Sequence, residues 1–216
     1  MPTTTELILL ALAWLVYFLI HSLLASLWVK RMLAQKLPAV MPWYRLLFNL
    51  LALLLILPPL AMLWFYRSDP LWQWQGAMAW LAYAMMILAV AGFIWSMRYY
   101  DSKAFLGILQ LRRRQQDIED QEQLHISPLH RFVRHPWYSL GLVLIWTQEM
   151  DPARLISALI ITAYLVLGSR LEETKLLLLH GDLYRYYQQR VPGLIPRPWR
   201  YLTQKQAERL LAGKEL

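Results

Sequence analysis

Cysteine is absent from this 216-residue chain. Disulfides, thiolate metal sites, iron–sulfur clusters and a cysteine nucleophile are therefore excluded. Charge is scarce as well, at 17% of residues, and the long apolar stretches of the first half hold no Asp or Glu. Soluble domains run at about 45–50% apolar residues, against 58% here. No internal repeat is found, so the paired halves of many transporters are not expected. What is abundant is Trp (11), Tyr (12) and positive charge, with a net +8. Such a charge could serve nucleic acid, but in so apolar a chain it fits basic loops facing anionic lipid. The run Arg112-Arg113-Arg114 has no aromatic interleaving and acids follow it at once, so no nucleic-acid partner is expected.

Four apolar stretches are long enough to matter. Leu7–Val29 and Tyr44–Tyr66 each run about 23 residues, or roughly 34 Å of helix. Ala77–Trp95 is a third, and Ala153–Gly168 is the core of a fourth that can continue to Leu179. Trp137–Gln148 is apolar but, at about 18 Å of helix, too short to cross a bilayer alone. Pro58-Pro59 is expected to kink or break the second span. Of the 22 basic residues, only Arg67 and Arg154 lie outside the segments 30–45, 98–134 and 170 onward. The positive-inside rule then places the N-terminus outside and the C-terminus in the cytoplasm. A cleaved signal peptide is not expected, because no basic segment precedes the first span and the positive charge follows it. The expected fold is an all-α membrane protein, integral to the bacterial inner membrane. It has five membrane helices, a C-terminal helical hairpin and a cytoplasmic amphipathic tail. As one membrane domain it divides into a three-span bundle (1–99), a cytoplasmic connection (100–127) and the hairpin with its tail (128–200). In the tail, Asp182 can cap a helix from Leu183 to Arg190, stopped by Pro192-Gly193.

The chemistry concentrates in the hairpin. Arg134-His135-Pro136-Trp137-Tyr138 opens the short apolar piece, and Arg170-Leu171-Glu172-Glu173 closes the last span. A turn at Asp151-Pro152, with equal rise on both limbs, would set His135 level with Gly168 and Tyr138 opposite Tyr164. Arg134, His135, Arg170, Glu172 and Glu173 then share one layer. Glu172 and Glu173 point about 100° apart on a helix, so at most one faces inward well. In the plain reading, Arg134 pairs with a Glu and the rest reaches to headgroups. A ligand-binding reading has two supports. Pro136 at a first helical position leaves backbone N–H groups aimed at the cluster, and Gly168 leaves room beside His135.

His135-Pro136-x-Tyr138, Glu172-Glu173, Gly181-Asp182-x-Tyr184-x-x-Tyr187 and Val191-Pro192-x-x-Ile195-Pro196 resemble the integral-membrane methyltransferases. That group includes isoprenylcysteine carboxyl methyltransferases, whose Thr-Gln pair resembles Thr147-Gln148, and phospholipid N-methyltransferases. In the first half, His21-Ser22-Leu23-Leu24-Ala25-Ser26 and Tyr44-Arg45-x-x-x-Asn49 are similar to the NnrU and methanethiol S-methyltransferase branch. Leu140 stands where the family has glycine, with Gly141 one place later, and the Gly-x-Gly of the phospholipid enzymes is missing. Phospholipid N-methylation is thus the less favoured substrate class.

The resemblance implies S-adenosylmethionine as methyl donor and a lipophilic or small thiol or carboxylate acceptor. It implies His135, Tyr138, Glu172, Glu173, Tyr184 and Tyr187 around the cofactor. Arg134 and Arg170 would supply positive charge beside an ionised acceptor. His21, Tyr44 and Asn49 are candidates for the acceptor pocket, although an intramembrane His also serves as a strut between helices. Tyr184, Tyr186 and Tyr187 read first as anchors at the membrane surface and only second as site residues. A haem or metal reading rests on His125, His130 and His135. Steps of five residues turn a helix by about 500°, so these three share no face and no metal is expected. A non-catalytic transport or assembly protein is the remaining alternative.

Overall fold

The computed structural model describes residues 1–114 and 124–212, whose regular structure is helical. Four helices are long and apolar enough to cross a membrane, and a shorter apolar helix accompanies them. The chain is an all-α integral membrane protein. It divides into two compact units: residues 1–74, 100–121 and 149–161, and residues 75–99, 122–148 and 162–216.

The first unit begins with α1 (Thr4–Ala25), started by a capping box in which Thr3 and Glu6 satisfy each other's backbone N–H. Its buried stripe is Leu10, Trp14 and Phe18, spaced one turn apart, while Leu12, Leu15 and Leu19 stay exposed as lipid-facing residues do. The expected span Leu7–Val29 is shorter than its apolar run. Ser26 leaves the helix at ψ 145°, and its hydroxyl accepts from Val29 N to start α2 (Leu27–Lys36). A serine that caps the next helix is hard to distinguish in sequence from one that packs inside a span. Next, α3 (Met41–Phe65) runs through Pro58 and Pro59, so the proline pair does not end it. The short helices α5 (Ser102–Leu106) and α6 (Ile108–Arg113) also belong to this unit.

Residues 152–161 open α8 (Pro152–Arg190), with the Asp151 carboxylate accepting from Arg154 N as a cap. Trp14 Nε1 donates to Ser157 Oγ at 2.8 Å inside this unit, beside buried Ala153 and Ala158. Small residues admit close helix approach there. Ser157→Ala is expected to cost about 1 kcal/mol by orphaning the indole N–H. An unchanged unfolding midpoint in a denaturing-detergent titration would remove this bond from the account.

In the second unit, α4 (Gly76–Ser96) packs on α7 (Pro136–Trp146). It belongs here rather than to the three-span bundle expected over residues 1–99. A Cβ at Gly92 would lie 3.1 Å from Leu140 Cδ2, and Trp137 Nε1 donates to Ser96 Oγ at 2.9 Å. The large residue at position 140 thus has its small partner on α4. The rest of α8 lies in this unit and carries a break at Gly181, whose φ of 52° suits glycine. Asp182 pairs with Arg185 at 2.9 Å. Beyond it, Tyr184, Tyr187, Val191 and Leu202 form a core with Ala207 and Leu210 of α9 (Gln204–Leu211). The acidic residues Asp117, Glu119, Asp120 and Glu122, expected in a solvated connection, lie outside the described residues.

Candidate active site at the base of the hairpin

The two limbs do fold back on each other: Trp146 Nε1 donates to Thr162 Oγ1 at 3.0 Å, and His135 reaches Glu173. The register differs from the equal-rise expectation. His135 lies level with Glu172 and Glu173, about one turn beyond Gly168. Residues 147–151 are not helical, and extended backbone climbs more than twice as far per residue as helix, so the limbs are unequal. A Cβ at Gly168 would meet nothing within 4 Å, so that glycine is not required by the approach of His135.

Glu173 is the hub. Its Oε1 accepts from Arg134 Nε at 2.8 Å and from His135 Nε2 at 3.0 Å, and its Oε2 accepts from Gln188 Nε2 at 3.0 Å. Arg134 continues the clamp, its Nη1 donating to the carbonyls of Gln188 (3.0 Å) and Val191. The backbone N–H groups of Arg134 and His135 donate to the carbonyls of Pro192 and Gly193, at 2.8 and 3.1 Å. Ser139 Oγ adds a bond to the carbonyl of Leu194. The start of α7, the end of the last span and the Val191-Pro192-Gly193-Leu194 segment are thereby tied together.

Glu172 is different. Its Oε2 lies 3.5 Å from both His135 Nδ1 and Tyr138 Oη, at the outer limit of a hydrogen bond, and half of its side chain is exposed (50%, against 14% for Glu173). Both carboxylates therefore reach the imidazole, one buried and saturated, the other open. Tyr138 stacks on the His135 ring at 5.4 Å and 12°.

The other candidates lie partly in this cluster and partly in the first unit. Arg134, expected beside the acceptor, spends its donors on the clamp. Arg170 is exposed, and none of the described bonds of the cluster reaches it. Tyr184 and Tyr187 are buried, Tyr184 within reach of Arg134 and the two carboxylates, and Tyr187 Oη donates to the His130 carbonyl at 2.6 Å. The backbone N–H groups of Arg134 and His135, which precede the helix that Pro136 opens, are given to the tail carbonyls. Tyr44 Oη donates to the Leu24 carbonyl, and Asn49 Nδ2 to the Phe105 carbonyl at 2.9 Å, both within the first unit. His21 packs there between Tyr17 and Phe48. Gln188 was missed, and the Val191-Pro192 motif is the signal beside it. Among the described residues no group of His, Asp and Glu is arranged to hold a metal ion.

Two histidines give opposite pH dependences. Burial pushes His130 down to about 4, with the charges of His125 and His135 adding to it. Its contribution is present above the unfolded value of about 6.5 and is lost as pH falls towards 4. For His135, burial acts downward but the bonds and charges of Glu172 and Glu173 outweigh it, and its pKa is raised. That contribution is complete below about 6.5 and is lost as pH rises through the folded value. Acidification from pH 6.5 to 4 is thus expected to lower the melting temperature, and His130→Gln to flatten that decline. An unaltered slope in the variant would assign the decline to other groups.

Methanethiol S-methyltransferase 2 of Bradyrhizobium diazoefficiens is 32% identical over 183 residues, covering 82% of this chain and 68% of that protein. The chain belongs to the methanethiol S-methyltransferase family. A Pseudomonas methanethiol S-methyltransferase is 29% identical over 152 residues, 66% of this chain and 56% of that protein. A second Bradyrhizobium enzyme of the same name is 45% identical over 73 residues, 33% of this chain and 25% of its own length. The chain thus spans about two thirds of the first relative and just over half of the second. No family model matches, and no solved structure does. Membership makes the chain a membrane methyltransferase and agrees with the motifs of the hairpin.

Proposed function

We propose that this methyltransferase uses S-adenosylmethionine and delivers the methyl group to a small thiol, with Glu172, His135 and Tyr138 forming the donor-binding surface. The observation that carries the reading is the contrast between the two carboxylates. Glu173 is consumed by the fold, whereas Glu172 is half-exposed and both of its described contacts fall on Oε2. A carboxylate can accept at about four lone-pair positions, so Glu172 retains capacity for an ammonium group or a ribose diol. The Tyr138 ring suits a sulfonium cation, an attraction of about 0.5–2 kcal/mol. This donor set fits the cofactor. Bound there, S-adenosylmethionine supplies an electrophilic methyl carbon, which a thiolate can take in a direct displacement without a strong general base.

The remaining work falls to the chain. His135, held by Glu173, presents Nδ1 to Glu172 and limits its swing. The Arg134 clamp keeps the tail segment in place beside both. The thiol acceptor rests on the activity for which the relatives are named. The one-sided distribution of basic residues supports a cytoplasmic site in a bacterial inner membrane.

Detergent-purified protein, given methyl-labelled S-adenosylmethionine and methanethiol, should release labelled dimethyl sulfide into the headspace. Labelling of added phosphatidylethanolamine, with none of the thiol, would replace the acceptor by an amine lipid. Folded protein that methylates neither would contradict the reading.

A further inference from the structure

Ile195 and Trp199 are each 76% exposed, and Tyr201 and Phe132 are exposed as well. All four belong to the second unit, where Tyr201 stacks on Phe132 with ring centroids 5.8 Å apart. Large apolar side chains gathered on one short turn and the segment paired with it mark a surface that something covers. The turn is held on both flanks. Pro196 and Pro198 fix two of its φ angles, and Arg200 N donates to the Arg197 carbonyl at 3.0 Å. Arg131 Nε donates to the Leu202 carbonyl at 3.0 Å, while Leu202 N donates to the Arg131 carbonyl at 2.9 Å. Arg200 Nη2 donates to the carbonyls of Gln188 and Gln189 at the end of α8. Ile195 and Trp199 are thus presented from a fixed frame.

Charge, composition and place single out the occupant. Residues 191–207 include Arg197, Arg200 and Lys205 but no Asp or Glu, a balance that suits lipid phosphate and opposes a second copy of the same surface. Trp and Tyr favour headgroup depth, and Arg keeps its charged head among phosphates while its stem lies on apolar surface. The place agrees, since Phe132 stands four residues before Pro136, which opens the apolar α7. The amphipathic α9 is not the part turned to lipid. Its Ala207 and Leu210 pack into the core of Tyr184 and Tyr187, which leaves Lys205, Glu208 and Arg209 exposed. We infer that the turn 195–201, with Phe132, seats in the headgroup layer of the bilayer, Ile195 and Trp199 reaching below the phosphates and Arg197 pairing with them. This seat is independent of the methyl donor and of the acceptor.

Because the chain has no cysteine, Ile195→Cys places a single nitroxide label on the full protein. In nanodiscs of phosphatidylcholine and phosphatidylglycerol, oxygen concentrates among the acyl chains and a neutral nickel chelate stays in water. The label at 195 should show an oxygen-to-nickel collision ratio severalfold above that of a label at Glu208→Cys, on the exposed side of α9. Adding Trp199→Ser should lower the ratio at 195 towards that at 208. Adding Trp80→Ser, the loss of an equally exposed indole on α4, should leave it in place. Equal ratios at 195 and 208 would overturn the seat, as would a ratio at 195 that Trp199→Ser does not change. A label at 195 shielded from both reagents, with dipolar broadening between chains, would give the surface to a second copy and overturn it too. Should Ile195→Cys fail to fold, Trp199→Cys carries the label on the same turn with the same contrast expected against 208.

Discussion

Glu173→Ala is expected to destabilise the protein by about 3–5 kcal/mol, the range for removing one partner of a buried charged pair. The carboxylate lies among donors from three parts of the chain, Arg134, His135 and Gln188. The side chains of Arg134 and Glu173 are 12% and 14% exposed, so neither is well solvated. Without the carboxylate, the guanidinium retains only carbonyl partners and the imidazole loses its shorter bond. The clamp on residues 188–193 should loosen with it. Glu173→Gln keeps the bond count possible but not the charge, and should fall between the two. The measurement is unfolding in a denaturing-detergent titration followed by tryptophan fluorescence. A loss below about 1 kcal/mol would place the pair among exposed salt bridges and remove Glu173 from the centre of the fold.

Glu172→Gln should behave in the opposite way. Its contacts at 3.5 Å and its half-exposed side chain contribute little to folding, so stability should change by less than about 1 kcal/mol. Bonds from a bound ligand to a charged partner contribute about 1.5–3 kcal/mol, which is roughly a ten- to hundredfold change in affinity. The KM for S-adenosylmethionine should rise by about that factor while kcat changes less, the pattern of a lost ground-state contact. A fall in kcat at constant KM would instead place Glu172 at the reacting atoms. No change in either would exclude it from the site.

Much of this arrangement is legible in the residues alone. The spans α3 and α4 are plain because uninterrupted apolar runs end at charged or aromatic residues. Arg134, His135, Glu172 and Glu173 stand out because ionisable groups at the ends of apolar helices are costly to keep. Register was less accessible, since it depends on how far the non-helical residues 147–151 climb. The inclusion of Arg170 followed from sharing a layer, which says nothing of the face on which a side chain emerges. Tyr184 and Tyr187 look interfacial by composition, yet the tail folds over them with Leu202 and Leu210. The partners that complete the clamp are backbone carbonyls of Gln188, Val191, Pro192 and Gly193, which no side-chain pattern announces. The grouping of α4 with α7 rests on Gly92 facing Leu140, a pairing of size visible only once the helices are placed.

Calorimetric titration of S-adenosylhomocysteine into the purified protein and its Glu172→Gln variant tests the division between the two carboxylates most directly. The unmodified protein should bind one ligand per chain, and the variant should bind roughly ten- to a hundredfold more weakly at an unchanged melting temperature. Equal affinity in both, or no heat from the folded protein, would contradict it.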